Sequence, residues 1–303
     1  MKTLGIVGSR GHVGQELSAL VRAHAGFDVR LAISQRDGIS PEQVASERLD
    51  AYVLALPNGA AAPYVAAITD ARKGSVIVDL SADYRFTEDW VYGQPERLRA
   101  KIIGATRIAN PGCYATASEL ALAPLVDLFD APPSVFGVSG YSGAGTTPSP
   151  RNDPEVLRDN LLPYALTTHV HEREISRQLG RRVFFLPHVA SFFRGLTVTA
   201  SVSFAAPQER ESLAARYRAA YANEPLVVLQ KDAPLVRDIA NRHHVALGGL
   251  EVSSDGKHAA IVATIDNLLG GAATQAVRNL NLALGYPENR GVSLADIPHA
   301  APL

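Results

Sequence analysis

The chain opens on a pattern that few folds use. Leu4–Gly8 is a short apolar run stopped by glycine, and it leads directly into Gly8-Ser9-Arg10-Gly11-His12-Val13-Gly14, a GxxGxxG spacing. Val13, Leu17, Leu20 and Val21 then recur at helical spacing. A buried strand, a glycine turn and an amphipathic helix in that order begin a parallel, doubly wound α/β sheet. The glycines let the backbone turn tightly and approach a pyrophosphate, while the helix start offers unpaired N–H groups and a positive dipole end. Gly8, Ser9, Arg10, Gly11, His12, Val13 and Gly14 are therefore expected to bind a dinucleotide. The next apolar run, Val29–Ile33, ends in Ser34-Gln35-Arg36. An NAD-type site places Asp or Glu about 20 residues beyond the glycines. Here the hydroxyl of Ser34 and the guanidinium of Arg36 suit a 2′-phosphate instead. Asp37 weighs against that reading, yet NADP(H) is the expected cofactor.

Asp50–Leu56 and Ser75–Leu80 read as further strands, with the Ala-rich, helix-like Gly59–Arg72 between them. Strands alternating with helices argue for a parallel sheet covered on both faces. The stretch between Arg36 and Asp50 is short, so one strand–helix element is expected to be abbreviated. Residues 83–112 are rich in glycine and proline turns. Beyond Cys113 the texture changes. A helix is predicted over Ala115–Phe129, a strand over Ser134–Ser139, and a Gly/Pro-rich loop over Gly140–Pro154. Val183–Leu186, Leu196–Phe204, Leu226–Leu229 and Ala259–Ile265 are strand candidates, with one helix around Glu209–Ala222. That arrangement predicts an α+β domain with a largely antiparallel sheet. Ala272–Leu284 reads as a last helix.

Size and composition agree with two globular domains: 303 residues, 47% hydrophobic and 19% charged. Twenty-nine basic against 30 acidic residues leave a net charge of −1, which provides no field to recruit nucleic acid or an anionic membrane. Neither is an expected partner, and no stretch approaches the ~20 apolar residues of a membrane span. One cysteine cannot form an internal disulfide, and no signal-peptide core precedes Leu4, so a cytoplasmic protein is expected.

That single cysteine lies in Asn110-Pro111-Gly112-Cys113-Tyr114-Ala115-Thr116. Pro and Gly stop the preceding chain and a helix starts at about the cysteine. A helix N-terminus stabilises the thiolate, which is the reactive form. Cys113 is thus a candidate nucleophile; a buried, inert thiol is the alternative. A thiolate nucleophile needs a group to manage protons. His169-Val170-His171-Glu172-Arg173-Glu174 supplies two imidazoles, either of which can serve near neutral pH, and Glu174 can orient one of them. Read as metal ligands the cluster lacks a second set of donors, and no metal is expected. Gly140–Thr146, which includes Tyr141, Ser142 and Gly143, is too glycine-rich for a packed strand and can present backbone N–H groups to a substrate. Arg194 follows Phe192-Phe193, and Asp79–Arg85, with Ser81 and Arg85, leaves a strand; both can line a site.

Together, Asn110–Thr116, Asp79–Arg85, Tyr92-Gly93-Gln94-Pro95-Glu96, Gly140–Gly145, His169–Ile175, Pro187-His188 with Arg194-Gly195, and Asp266–Gln275 resemble the N-acetyl-γ-glutamyl-phosphate reductase family over nearly the whole chain. Tyr141 and His169–Glu174 look most like the branch that includes the fungal reductase domains. The resemblance implies the aldehyde/semialdehyde dehydrogenase plan. In it a Rossmann-type NADP-binding domain, residues 1–112 and 267–303, is interrupted by an α+β catalytic domain, residues 113–266, that builds the interface of a homodimer or homotetramer. It implies Cys113 as nucleophile, His169 as the catalytic histidine with His171 close behind, and Glu174 as acidic companion. Asn267 would lie near the nicotinamide, Ser81 and Gly143 would contact the cofactor, and Arg85, Asn110, Tyr141, Ser142 and Arg194 the substrate.

The implied reaction is NADPH-dependent reduction of N-acetyl-L-glutamyl 5-phosphate to the 5-semialdehyde through a Cys113 thioester, with release of inorganic phosphate, in arginine biosynthesis. Two departures stand out. Relatives carry a basic residue where Thr146 follows Gly-Ala-Gly, and a lysine where Gly270 stands. Arg85, Arg151 and Arg194 are the candidates to replace those cations. A sister enzyme acting on aspartyl phosphate or a carrier-bound aminoadipyl phosphate is the nearest alternative. A non-catalytic, NADP-sensing protein is the alternative from a different class.

Overall fold

In the computed structural model, which describes residues 1–298 and 303, the chain forms two units. One is Met1–Gly112 with Ala272–Ser293; the other is Cys113–Gly271 with Leu294–Leu303. In the first, β1 (Lys2–Val7), β2 (Phe27–Ile33), β3 (Ala51–Leu54), β4 (Val76–Asp79), β5 (Val91–Tyr92) and β6 (Arg107–Ala109) form a parallel sheet in the order β2-β1-β3-β4-β6-β5. Every residue of β3 and β4 is buried, as central strands covered on both faces require. The helix His12–Ala23 buries Gly14, Leu17 and Val21. Between β2 and β3 the expected abbreviation takes the form of one short helix, Pro41–Ser46. A reciprocal cap holds its start: Ser40 accepts from the Gln43 N–H, and the Gln43 side chain reaches back to the Ser40 backbone. The helix Thr274–Leu284 returns to this unit, and all of Thr274–Leu282 is buried.

The second unit holds a seven-stranded sheet built from β7 (Ser134–Gly140), β8 (Leu161–Pro163), β9 (Phe184–Ala190), β10 (Leu196–Ser203), β11 (Val227–Leu229), β12 (Val245–Val252) and β13 (His258–Ile265). The strands lie in the order β11-β12-β13-β10-β7-β9-β8. It is largely antiparallel, as expected, but two pairings are parallel: β7 with β9, and β11 with β12. Parallel neighbours need crossover connections. The segment carrying the helix Val170–Leu179 provides one, and the segment carrying the short helix Val236–Ile239 provides the other. The sequence pattern also misses β12, because Gly248-Gly249 interrupts its apolar run. The strand accommodates them as a bulge: pairing with β13 shifts register between Gly248 and Glu251, and Gly249 has φ +61°.

The helix Cys113–Leu122 is buried at every position after Cys113, packed in a core that includes Leu120, Phe185, Val198 and Tyr217. It stops short of the predicted Phe129 because Pro124 cannot donate the next helical hydrogen bond, and the chain continues as a 3-10 turn, Ala123–Leu128. On the opposite face of the sheet Phe136, Phe184 and Leu186 remain 36–40% exposed, with Phe136 and Leu186 paired across β7 and β9. Among the described residues no helix is long and apolar enough to cross a membrane.

The chain re-enters the first unit at Ala272 rather than at 267, and the tail from Leu294 goes with the second. The residues before Ala272 are tied down within the second unit. Asp266 pairs with Arg194 at 2.7 Å, and Asn267 accepts the Gly195 N–H at 2.7 Å while donating to Ser142 Oγ at 2.9 Å.

Candidate active site

In the first unit each glycine of the opening turn has its own steric cause. Gly8 has φ +96°, and a Cβ there would stand 2.1 Å from the Ala55 carbonyl oxygen; one on Gly14 would stand 2.1 Å from the Gly8 carbonyl oxygen. Gly11 differs. A Cβ there would meet only the Gly8 carbonyl oxygen, at 3.6 Å, so the missing side chain leaves space above the turn. Gly11 is also the N-cap of the helix His12–Ala23, which has no side-chain cap and no acidic residue in its first turn. An uncapped helix start beside a tightly packed glycine turn fits a pyrophosphate. Gly8 and Ser9 both donate to the Ile33 carbonyl, fixing the turn to the end of β2. There Arg36 is exposed in a 3-10 turn, and Asp37 folds back to accept from Ser34 and Arg10.

In the second unit Cys113 takes the first position of its helix and is partly buried. Gly271 packs against it so closely that a Cβ at 271 would lie 2.6 Å from Cys113 Cβ. His169 caps the helix Val170–Leu179, its Nδ1 accepting the His171 N–H at 3.2 Å. That acceptor role puts the proton of the neutral ring on Nε2. His171 Nε2 stands 3.9 Å from Oε2 of the fully buried Glu174, and the two imidazole centroids are 4.7 Å apart.

Tyr114 lies edge-on to both rings, 6.3 Å from His169 and 5.9 Å from His171, and donates its hydroxyl proton to the His188 carbonyl at 2.7 Å. Tyr164 is 5.3 Å from His169, with the Arg151 guanidinium 5.1 Å from the Tyr164 ring centroid. Burial is the main cause that raises both phenol pKa values; Tyr164 and then Cys113 add to it at Tyr114, and Cys113 adds to it at Tyr164. Tyr114, the residue after Cys113, thus meets His169 and His171, with Glu174 near His171, Tyr164 near His169 and Arg151 over Tyr164. Sequence reasoning passes over Tyr164, since nothing in Leu161-Leu162-Pro163-Tyr164 marks it. Among the described residues no three His, Cys, Asp or Glu side chains form a group that could hold a metal ion.

Several other expected contact residues spend their polar groups on architecture. Ser81 gives its N–H and hydroxyl to the buried Asp79, at 3.2 and 2.6 Å, and its oxygen accepts the Asp83 N–H. Burial outweighs those bonds and pushes the Asp79 carboxyl up to about 6. Arg85 is buried and donates to the carbonyls of Asn110 and Leu80, at 2.9 and 3.0 Å. Asn110 accepts from Asn279 at 3.0 Å and donates to the Ala272 carbonyl at 3.3 Å. Arg194 holds Asp266 with two nitrogens and Asn241 with a third. Asn267 uses both ends of its amide inside the second unit, Gly143 packs near Ser139, and Tyr141 rests against Phe193. Arg151, by contrast, is exposed and makes no ion pair among the described residues.

Comparison with known proteins agrees with this division. Residues 3–105 match the family model of the semialdehyde dehydrogenase NAD-binding domain, and residues 113–267 match that of the semialdehyde dehydrogenase dimerisation domain. An N-acetyl-γ-glutamyl-phosphate reductase of Stenotrophomonas maltophilia is 51% identical over 98% of each chain. One from Xanthomonas axonopodis pv. citri is 50% identical over 95% of this chain and 97% of its own. Among solved structures, aspartate semialdehyde dehydrogenase II of Vibrio cholerae, complexed with ASA, has a TM-score of 0.74 at 18% identity, covering 94% of this chain and 98% of its own. The Candida albicans aspartate semialdehyde dehydrogenase with NADP has a TM-score of 0.72 at 16% identity, covering 94% and 99%. The solved structures share the fold, which meets the expectation of a Rossmann-type domain joined to an α+β domain. The near-complete coverage at about 50% identity goes further: the chain belongs to the N-acetyl-γ-glutamyl-phosphate reductase family of semialdehyde dehydrogenases.

Proposed function

We propose that the chain reduces N-acetyl-L-glutamyl 5-phosphate to N-acetyl-L-glutamate 5-semialdehyde, releasing inorganic phosphate, as a step of arginine biosynthesis. The observation that supports this reading is Cys113 at the start of a buried helix whose next residue, Tyr114, lies edge-on to two imidazoles, in a chain about half identical to reductases of that name. Cys113 attacks the acyl carbon as the thiolate. The bond from that carbon to the phosphate oxygen breaks, phosphate leaves with the electron pair, and a thioester remains on Sγ. Bound NADPH supplies the hydride, which a thioester accepts more readily than a carboxylate does. Reduction leaves a hemithioacetal on Cys113, whose oxygen drives out the thiolate and frees the aldehyde. His169 carries its neutral-form proton on Nε2 and is suited to exchange it with the substrate oxygen, while Glu174 steadies His171. In the first unit the Gly8–Gly14 turn, Ser34 and Arg36 are assigned to the dinucleotide.

Arg151 is assigned to an anionic group of the substrate. Arg85 and Arg194, the other candidates to replace the missing cations, are engaged internally, whereas Arg151 is exposed beside Tyr164. Arg151→Gln should raise KM for the acyl phosphate about tenfold and change kcat less. An unchanged KM in steady-state titration would dismiss the assignment. The exposed apolar face around Phe136, Phe184 and Leu186 is assigned to a second copy of the chain, in keeping with the matched dimerisation domain. Sedimentation velocity should then show a homo-oligomer that Phe136→Glu weakens; a monomeric wild type sinks that assignment.

The reaction itself is tested in reverse. N-acetylglutamate semialdehyde, NADP and phosphate should yield NADPH, and omission of phosphate should stop it. Turnover with aspartate semialdehyde and none with the N-acetylated substrate would overturn the reading in favour of the sister enzyme.

A further inference from the structure

At the end of β2 three donors already converge on one anion. Asp37 Oδ2 accepts the Ser34 N–H at 2.7 Å and the Ser34 hydroxyl at 3.0 Å, and Asp37 Oδ1 accepts Arg10 Nη2 at 2.7 Å. The Ser34 N–H, then its hydroxyl, and then Arg10 hold the Asp37 carboxyl below the usual range, so it is ionised at neutral pH. A local turn accounts for the two bonds from Ser34. It does not account for Arg10, which comes from the glycine turn 27 residues away. The pair is open to solvent, with side-chain exposures of 61% for Arg10 and 26% for Asp37.

In a strand–glycine turn–helix unit this strand end reads the adenosine ribose. A 2′-phosphate there is held by N–H, hydroxyl and guanidinium donors, and those are the donors that Asp37 occupies. We propose that Asp37 is an internal occupant of the 2′-phosphate seat. Its carboxylate takes the Ser34 and Arg10 donors in the free protein and must yield them to NADPH, so it sets how strongly the site prefers NADPH to NADH. The inference rests on the NADPH reading above and adds two roles to it. Arg10 becomes a second phosphate-binding cation beside Arg36, and Asp37 becomes the residue that tempers specificity. A ribose 2′-hydroxyl can donate to the Asp37 carboxylate where it stands, so NADH loses nothing. A 2′-phosphate has to break three hydrogen bonds and meets a like charge while doing so.

Adenosine 2′,5′-bisphosphate and AMP differ by the 2′-phosphate alone and are the probes, titrated calorimetrically into the full chain. Asp37→Ala should tighten the bisphosphate about tenfold and leave AMP within about twofold. Asp37→Asn keeps an acceptor oxygen for the turn but removes the charge, and should tighten it less. Arg10→Ala should weaken the bisphosphate and shrink the gain from Asp37→Ala when the two are combined. If the wild type favours the bisphosphate over AMP but neither Asp37 variant tightens it, the internal-occupant proposal fails and the NADPH reading stands. If the wild type shows no such preference and Arg36→Ala changes neither titration, the cofactor reading fails and takes the proposal with it.

Discussion

Replacing Cys113 with serine should abolish acyl-phosphate reduction, lowering kcat on the order of ten-thousand-fold, while dinucleotide affinity stays within about twofold. The substitution removes one atom's chemistry and little of the structure. Serine is close to cysteine in size, and Cys113 is only partly buried at the first position of its helix. The hydroxyl is not ionised near neutral pH, so it attacks the acyl carbon poorly. The hemiacetal left by reducing a seryl ester would also expel an alkoxide far less readily than the hemithioacetal expels a thiolate. Quenched-flow mass spectrometry should therefore find an acylated wild-type chain and no acylated variant. A variant with turnover within tenfold of wild type would exclude the covalent route. An unreactive Cys113 in the wild type, with NADP still bound, would point instead to the sensor alternative.

The second large effect concerns stability. Arg278→Leu should destabilise the first unit by ~3–5 kcal/mol, because it leaves the buried Glu96 carboxylate without its counter-charge and Glu288 with Arg99 alone. Arg278 is 1% exposed and contacts Glu96, equally buried, through Nη1 and Glu288 through Nη2, with Nε also donating to Glu288 at 3.1 Å. Gln275 accepts from Arg278 at 3.1 Å, and Arg99 grips Glu288 as well. The network joins the helix Thr274–Leu284 to the helix Pro95–Ile102. Asn279, next in sequence, donates to Gly93 and to Asn110, which lies three residues before Cys113. Loosening the network should therefore cost activity before it costs the whole fold.

The pH dependence of this effect has a definite sign. Burial pushes the Glu288 carboxyl up, but Arg99 and Arg278 outweigh it and hold the pKa below the ordinary value. A carboxylate whose folded pKa is depressed contributes stability above its unfolded pKa, roughly 4.3, and loses it as pH falls through the folded value. Wild-type stability should thus drop in acid. In Arg278→Leu protonation relieves the uncompensated charge, so the gap between the two proteins should narrow from pH 7 toward pH 4. Denaturant unfolding at both values measures it; a gap below about 1 kcal/mol at pH 7 would mean that the ion pairs contribute little.

The parts of the site legible in the sequence are those built from consecutive residues. Gly8, Gly11 and Gly14 declare a turn through their local spacing, and the atom that bars a side chain at Gly14 is the Gly8 carbonyl oxygen of the same turn. The Pro-Gly stop before Cys113 declares a helix start just as locally. His169 and His171 stand out because both lie within one short run. The missed strand β12 shows the limit of that logic. Gly248-Gly249 looks like an interruption until pairing with β13 turns it into a bulge.

By itself, then, the amino-acid order determined the strand–turn–helix opening, the two-domain α/β plan and the position of the thiol, since φ/ψ limits and hydrophobic periodicity act over a few neighbouring residues. Only the tertiary structure decided which long polar side chains face a ligand and which are spent inside. Arg194 meets Asp266 across 72 residues and Arg278 meets Glu96 across 182. A guanidinium looks the same in the sequence whether its donors are open or taken. Its partner is set by chain segments brought together on folding, which is why only the structure shows Arg85 donating to the Asn110 and Leu80 carbonyls, Arg194 holding Asp266, and Arg151 standing over Tyr164 beside His169.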